Sequence, residues 1–520
     1  MKSTKSDKSA RKSVPHKEIS PSPPEINTLL ALFTAGRYAE VAILAQTMTV
    51  RFPMHGFAWK VLGAVFKQLG RNADALAPMQ KAAALSPSDF EAHTNLGITL
   101  HDLSRLDEAE VSYRRALQIK PDYAKAHYNL GVTLQALGRL DEAETSYRRA
   151  LQVKSDFAEA HYNLGVTLQD LGRMNEAEAS YRRVLQDKPD FAGAHYNLGI
   201  TLQALGRMDE AEASYRRAIQ IKPDYAHAHN NLGSTLRTLG RLEEAIAHFE
   251  RALLLDPKLD KARFGLSNSL YVFSLVDYDK AIHLASRARQ LFQEDPIILR
   301  GISGILGDTN ISKDEAVYTQ KLFDGFAATF ESTLENLKYK TPKVLANEPS
   351  LGNGKVSRDL DILDAGCGTG LCGIYLRPAA RTLVGVDLSA EMLRLAREKD
   401  IYDTLHEDNI INFCKNNKAS FDLIVLADVL GYIGDIQELV ESISFALRQN
   451  GIIALSAECM RDNASSDTFA LQPSGRYQHS IEYLKRSLED TGFSVKKITS
   501  HTLREEYGQS VAGRIVIAQL

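Results

Sequence analysis

The segment Asp364-Ala365-Gly366-Cys367-Gly368-Thr369-Gly370 directly follows the apolar pair Ile362-Leu363. Glycines after a strand let the backbone turn tightly and approach a ligand with no side chain between them. A nicotinamide-nucleotide fingerprint would need its third glycine at 371, which is Leu371. An acid two residues before the first glycine also disfavours a pyrophosphate, because like charges repel; Asp364 suits a ligand with a cationic amino group. A second apolar run ends at Asp387, at a spacing where a carboxylate accepts both hydroxyls of a ribose. Further along, Asp408-Asn409 stands where a third strand would end and is placed to meet an adenine edge.

These residues need a scaffold that delivers them to one edge. Short apolar runs at 361–365, 382–387, 421–427 and 452–457 read as strands. Helical patterns near 371–376, 390–399, 436–448 and 480–491 alternate with them, which is the rhythm of a doubly wound α/β sheet. Two later runs, 494–502 and 510–519, read as a terminal hairpin. In such a sheet the carboxyl ends of the strands form the ligand crevice.

The acid before the glycine loop, Asp387 and the strand Phe421-Asp422-Leu423-Ile424-Val425-Leu426 together resemble class I S-adenosylmethionine-dependent methyltransferases, over about 317–520. FDGFAATFESTL, DAGCGTGLCG, GVDLSAEML, LADVLGYIGD and PSGRYQHS are, as a set, similar to methyltransferases that carry tetratricopeptide repeats. The resemblance implies a Rossmann-like fold and S-adenosylmethionine as cofactor. It implies that Asp364, Ala365, Gly366, Cys367 and Gly368 line the methionine end, and that Asp387 holds the ribose. Leu388 and Met392 would lie beside the adenine, Asp408 and Asn409 at its edge, and Ala427 and Asp428 near the sulfonium. Met392 and Leu388 can equally be helix-packing residues, and Asp408 a turn cap. Acceptor-side candidates are Asp428, Tyr432, Arg476, Tyr477 and His479. His479 suits a general base near neutral pH, or an exposed neighbour of the helix cap Ser480. The aromatic stretch 322–330 reads as a lid over the cofactor or as ordinary packing on the sheet.

The first half of the chain has another rhythm. AHTNLG at Ala92, AHYNLG at Ala126, Ala160 and Ala194, and AHNNLG at Ala228 recur every 34 residues. Each copy carries a helix-contact glycine (Gly97, Gly131, Gly165, Gly199, Gly233) and, in its second helix, a matching alanine. The pattern resembles the tetratricopeptide repeat, so an all-α solenoid of about eight repeats is expected over 25–296. Asn95, Asn129, Asn163, Asn197 and Asn231 occupy one equivalent site per repeat. A carboxamide offers an acceptor and two donors, which suits an extended polypeptide backbone, and equally a bridge between neighbouring helices. The column is similar to the asparagine ladder of O-linked N-acetylglucosamine transferases. A protein or peptide partner in the concave groove is the expectation it carries.

Composition narrows the remaining classes. Sixty-two Lys+Arg against 65 Asp+Glu gives a net charge of −3, with no global case for nucleic-acid or anionic-membrane binding. The repeated arginine pairs, such as Arg148/Arg149, follow acids such as Glu142 and Glu144, so a solvated, ion-paired outer face is expected. The longest apolar stretches are shorter than the ~20 residues of a membrane span. The cysteines (Cys367, Cys372, Cys414, Cys459) fit no metal-site spacing and read as reduced thiols of a cytoplasmic protein. A basic tail over 1–24, rich in Lys, Ser and Pro, reads as disordered; 297–359 reads as linker plus lid helix, and 360–520 as the catalytic-type domain.

Overall fold

The computed structural model describes residues 20–308, 315–346, 359–460, 468–506 and 509–520. Most of the expected tail and the Gly/Ser/Asn-rich stretch near 350–357 lie outside these residues. The chain divides into two compact units, 1–223 and 224–520.

The first unit holds twelve described helices, from α1 (Pro23–Thr34) to α12 (Met208–Ile221). Their pairing rests on a small residue facing a large one. A Cβ at Gly131 would stand 2.6 Å from a ring carbon of Tyr147, and Gly97, Gly165 and Gly199 face Tyr113, Tyr181 and Tyr215 in the same way. These four tyrosines are essentially fully buried. Their burial explains the repeat's glycine: any side chain there would displace the ring that fills the core. On the outer face Arg139 bridges Glu110 and Glu142, at 2.7 Å each, and Arg173 bridges Glu144 and Glu176 at the same distances.

The second unit begins with α13 (Ala226–Thr238), α14 (Leu242–Leu255), α15 (Asp260–Ser274) and α16 (Tyr278–Leu291), which continue the repeat. A further helix, α17 (Pro296–Leu306), starts where the array is expected to end. Asp295 caps it by accepting from Ile297 N and Ile298 N, 3.1 Å each. Gly304 of α17 has no room for a Cβ against the Gln472 carbonyl, and Arg300 Nη1 donates to Tyr477 Oη at 2.8 Å. Packing therefore joins the last repeats to the α/β domain, and the division of units falls inside the array, away from the repeat boundary at 296.

The lid helix expected within 297–359 is broken into α18 (Glu315–Phe326), a 3-10 turn at Ala327–Thr329 and α19 (Phe330–Asn336). Gly325, a poor helix former, stands just before the break. After α20 (Thr341–Ala346) the sheet begins. Its elements are β1 (Leu360–Ala365), α21 (Gly373–Leu376), β2 (Ala380–Asp387), α22 (Ala390–Glu398), β3 (Thr404–Glu407), α23 (Ile410–Asn416), β4 (Phe421–Leu426), α24 (Gln437–Ala446) and β5 (Leu447–Glu458). There follow β6 (Phe469–Leu471), β7 (Tyr477–His479), α25 (Ile481–Asp490), β8 (Ser494–Glu506) and β9 (Gln509–Gln519).

The seven-stranded sheet runs β3-β2-β1-β4-β5-β9-β8, and β6 pairs with β7 apart from it. The first five strands are parallel, while β9 is antiparallel to β5 and to β8. The chain leaves β1 for β2 and β3 on one side, then returns to β4 on the other. That reversal opens the crevice beyond the carboxyl ends of β1 and β4. Two apolar clusters fill the faces of the sheet, one around Leu363, Ile424 and Leu455, the other around Ile362, Leu423 and Ile517. β5 starts earlier than its apolar run suggests, because Arg448, Gln449 and Asn450 hide its first turns of pleat in the sequence. The small β6–β7 hairpin is an element the sequence pattern did not announce.

Among the described residues no helix is long and apolar enough to cross a membrane.

Candidate active site

Parallel pairing brings the ends of four strands to one edge, with Asp364 beside Gly385 and Val425, and Asp387 beside Glu407. At that edge Gly366, Gly368 and Gly370 all take positive φ, +76°, +53° and +88°. L-side chains rarely adopt this conformation, so the loop needs glycine at each. A Cβ on Gly366 would also stand 2.5 Å from Val429 Cγ2. Gly366 N and Cys367 N both donate to Val386 O, at 2.8 and 3.1 Å, which fastens the loop to β2.

Asp387 completes the fastening. Its Oδ2 accepts from Gly368 N and its Oδ1 from Ser389 N, both at 2.9 Å. A carboxylate has acceptor capacity beyond these two bonds. Burial raises the Asp387 carboxyl above its ordinary range, against the pull of these backbone donors.

Asp364 is fully buried. Tyr402 Oη donates to its Oδ2 at 2.7 Å, while its Oδ1 has no partner among the described residues. Burial pushes its pKa up to about 7, opposed by the Tyr402 hydrogen bond. A buried, half-satisfied acid is costly unless a donor or cation completes it. Asp364 therefore suits a ligand that carries a cationic amino group, and the side-chain-free loop beside it suits a closely approaching ligand.

The other expected contacts are placed as follows. Met392 is buried in the first turn of α22, and Leu388 is half-buried just before that helix. Asp408 N donates to Asp387 O at 3.1 Å, which ties β3 to β2 at the same edge. Asn409 caps α23, its Oδ1 accepting from Ile411 N at 2.9 Å, so its amide nitrogen is the part left for another partner. Cys367 is buried, and burial drives its thiol pKa up; Cys372 behaves alike.

Beyond β4, Ala427 is half-buried and Asp428 sits at φ +61°, a left-handed conformation that costs a non-glycine residue about 1–2 kcal/mol. Ser456 of β5 holds it: Asp428 N donates to Ser456 Oγ at 2.7 Å. Next to it a charged cluster is buried. Glu458 accepts from Arg476 Nε and from Arg504 Nη2, the latter at 2.8 Å. Burial alone would raise the Glu458 carboxyl; Arg476 and Arg504 more than offset this and hold it below its usual range. Arg476 also donates to Tyr432 Oη and lies 4.7 Å over the Tyr432 ring.

Tyr477 and His479 fall elsewhere. Both are buried on β7, and Tyr477 accepts from Arg300 of α17. His479 lies inside the protein, contrary to its reading as an exposed neighbour of the Ser480 cap. Its Nε2 bonds the Gly434 carbonyl at 3.0 Å and its ring stacks on Tyr483. Burial lowers its pKa, and the geometry gives it the work of anchoring the 434 turn.

The 322–330 stretch lies over the glycine loop. Phe323 packs edge-on against Tyr432 at 5.1 Å, and Phe330 approaches within 3.8 Å of the Cβ position of Gly368. Ser389 Oγ donates to Asp324 at 2.6 Å, and Lys399 bonds both Glu331 and Thr369 O. Sequence reasoning missed Tyr402, Glu458 and Arg504. Glu458 was findable, because it is an acid ending an apolar strand just as Asp387 is; Tyr402 and Arg504 carry no local signal.

Residues 363–453 match a family described as a methyltransferase domain. Segments 99–138, 134–172 and 168–206 match TPR repeats, and 190–258 and 230–296 match tetratricopeptide-repeat families. Phosphoethanolamine N-methyltransferase 1 of Zea mays is 28% identical over 188 residues, covering 32% of this chain and 38% of the maize protein. Malonyl-[acyl-carrier protein] O-methyltransferase of Pectobacterium atrosepticum is 36% identical over 104 residues, 18% of this chain and 41% of its own length. The chain thus spans well under half the length of these relatives. Among solved structures, YrrB, a TPR protein with an unusual peptide-binding site, is 23% identical, covers 35% of this chain and 95% of its own, and has a TM-score of 0.33. One chain therefore joins tetratricopeptide repeats to a methyltransferase domain, and S-adenosylmethionine is the methyl donor that such a domain implies.

Proposed function

We propose that this chain methylates an acceptor from S-adenosylmethionine and that its repeats bring a polypeptide, as substrate or as docking partner, to the enzyme. The observation that carries the transferase half is the glycine loop beside a buried Asp364 whose Oδ1 has no partner. When bound, S-adenosylmethionine supplies an electrophilic methyl group on a sulfonium.

Each residue then has a task. Asp364 takes the cationic amino group, Ala365, Gly366, Cys367 and Gly368 pass their backbone along the methionine end, and Asp387 takes the ribose hydroxyls. Leu388 and Met392 flank the adenine, while Asp408 and the Asn409 amide nitrogen meet its edge. Ala427, Asp428 and Tyr432 face the acceptor. His479 acts at a distance, as a positioning residue for the 434 turn. A departing thioether needs no acid, so alignment and exclusion of water supply much of the acceleration. Phe323 and Phe330 are placed to exclude water over the loop.

The recruiting half rests on Asn95, Asn129, Asn163, Asn197 and Asn231. Asn163 Nδ2 donates to Tyr128 Oη at 3.2 Å and Asn197 Nδ2 to Tyr162 Oη at 3.0 Å. At Asn163 and Asn197 one amide hydrogen bridges neighbouring repeats, which leaves the carbonyl oxygen and the second amide hydrogen to meet a peptide in this reading.

A second reading keeps the enzyme and gives it a small acceptor. It is favoured by Arg476 Nη2, a buried nitrogen with no hydrogen-bond partner among the described residues, which an anionic acceptor group would complete. The maize relative, named for a phosphate-bearing amine, points the same way.

Labelling of a cell extract with tritiated methyl donor and the full chain tests both. Label in a protein band, reduced when Asn163 and Asn197 are both changed to Ala, supports recruitment; label confined to small molecules, unaltered in that variant, overturns it in favour of the second reading.

A further inference from the structure

Tyr402 stands in the turn between α22 and β3, and hydrogen bonds tie that turn to β2. Asp403 N donates to Leu383 O at 2.9 Å, while Asp403 Oδ2 accepts from Leu383 N and from Arg377 Nη1, at 2.7 Å each. The Tyr402 ring then enters a slot that three glycines leave open. A Cβ would stand 3.0 Å from a ring carbon at Gly370, 2.5 Å from Cζ at Gly373 and 3.1 Å from Cδ1 at Gly385. Those glycines belong to three separate stretches: the loop after β1, the start of α21 and the interior of β2. Gly385 is also the register partner of Asp364.

The slot accounts for the ring and leaves the hydroxyl to be explained. A phenylalanine ring would fill the same space, but only the oxygen reaches Asp364, donating to Oδ2 at 2.7 Å. Both oxygens of a carboxylate lie in one rigid plane, so holding one orients the other. With Oδ2 held, Oδ1 of the fully buried Asp364 has no partner among the described residues. A hydrogen bond donated to a carboxylate also favours its ionised form, which is the form a cationic group recognises.

We propose that Tyr402 is a positioning residue of the cofactor site: its hydroxyl holds Asp364 Oδ2 so that Oδ1 meets the cationic amino group of the ligand. Through Asp364 it makes the site prefer adenosine thioethers that carry an amino-acid end over those that lack one. Asp387 serves the ribose, which both kinds of ligand carry, so its contribution is common to them. Without the hydroxyl, both Asp364 oxygens are buried and unheld, and the acid loses its orientation and part of its charge. This role rests on S-adenosylmethionine being the cofactor and adds which end of that ligand Tyr402 serves.

Calorimetric titration of the full chain with S-adenosylhomocysteine and 5′-methylthioadenosine tests it, because both are uncharged at sulfur and only the first has an amino-acid end. The wild type binds S-adenosylhomocysteine more tightly. Tyr402→Phe keeps the ring in its slot, weakens S-adenosylhomocysteine about tenfold and leaves 5′-methylthioadenosine within about twofold of wild type. Unchanged S-adenosylhomocysteine affinity in Tyr402→Phe, or equal wild-type affinity for the two ligands, overturns the role. An equal loss of both ligands, or a Tyr402→Phe chain that does not fold, overturns it too, since either makes Tyr402 a structural residue. If the folded wild type binds neither thioether nor S-adenosylmethionine, the cofactor reading itself fails and the role of Tyr402 with it.

Discussion

In the repeats Arg139 lies between Glu110 and Glu142 with its side chain 39% exposed; in the α/β domain Glu458 lies between Arg476 and Arg504 with its own only 4% exposed. The same two residue types meet in both regions, and water separates their meanings. On the outer face of the repeats Arg139 and Glu142 stay in contact with water, so the grid secures solubility and register more than stability. Beside Asp428 the charges have left water, and each depends on its partners. A fold gains little from such burial over an apolar core, which is why a buried charge cluster at a sheet's carboxyl edge speaks of chemistry.

The largest effect expected from this contrast is at Glu458. Glu458→Gln leaves two buried guanidinium groups facing each other and should cost about 3–5 kcal/mol in urea unfolding of the full chain. A loss no greater than that of Arg139→Ala would abolish the distinction between the two regions. Next comes a purely steric change in the repeats: Gly131→Ala drives a methyl into the Tyr147 ring and should cost about 1–3 kcal/mol.

A third prediction sharpens the comparison among buried acids. Glu458 has arginines and stays ionised, whereas Asp364 has none and is raised to about 7. An acid raised in the folded state holds more protons than the unfolded chain between its ordinary pKa and about 7. Asp364 thus costs no stability at low pH and progressively destabilises the cofactor-free protein as pH rises through that window. A cationic ligand lowers that pKa again, so S-adenosylmethionine should bind more tightly at pH 8 than at pH 6 and release a proton on binding near neutrality. Calorimetry in buffers of different ionisation enthalpy reads this directly, and Asp364→Asn should lose it. The smallest effect belongs to Arg139→Ala, a melting shift near the scatter of the measurement, shrinking further in salt.

The solenoid was legible because a period repeated over many copies averages out local ambiguity: Gly131 and Tyr147 carry the same message as three other pairs. The parallel strands were legible from apolar runs ending in Asp364, Asp387 and Asp428. The β6–β7 hairpin was not, because three-residue strands leave no period to read. Nor was the fate of His479, whose burial depends on Gly434, Tyr483 and Phe469 arriving from distant positions. The division inside the array was hidden for the same reason, since Arg300 finds Tyr477 across 177 residues.

The central claim is that the glycine loop and Asp387 bind S-adenosylmethionine, and calorimetric titration of the full chain tests it most directly. The account predicts saturable one-to-one binding in the wild type and in Arg139→Ala, and its loss in a folded Asp387→Ala. No heat from the folded wild type, or undiminished affinity in Asp387→Ala, would contradict it.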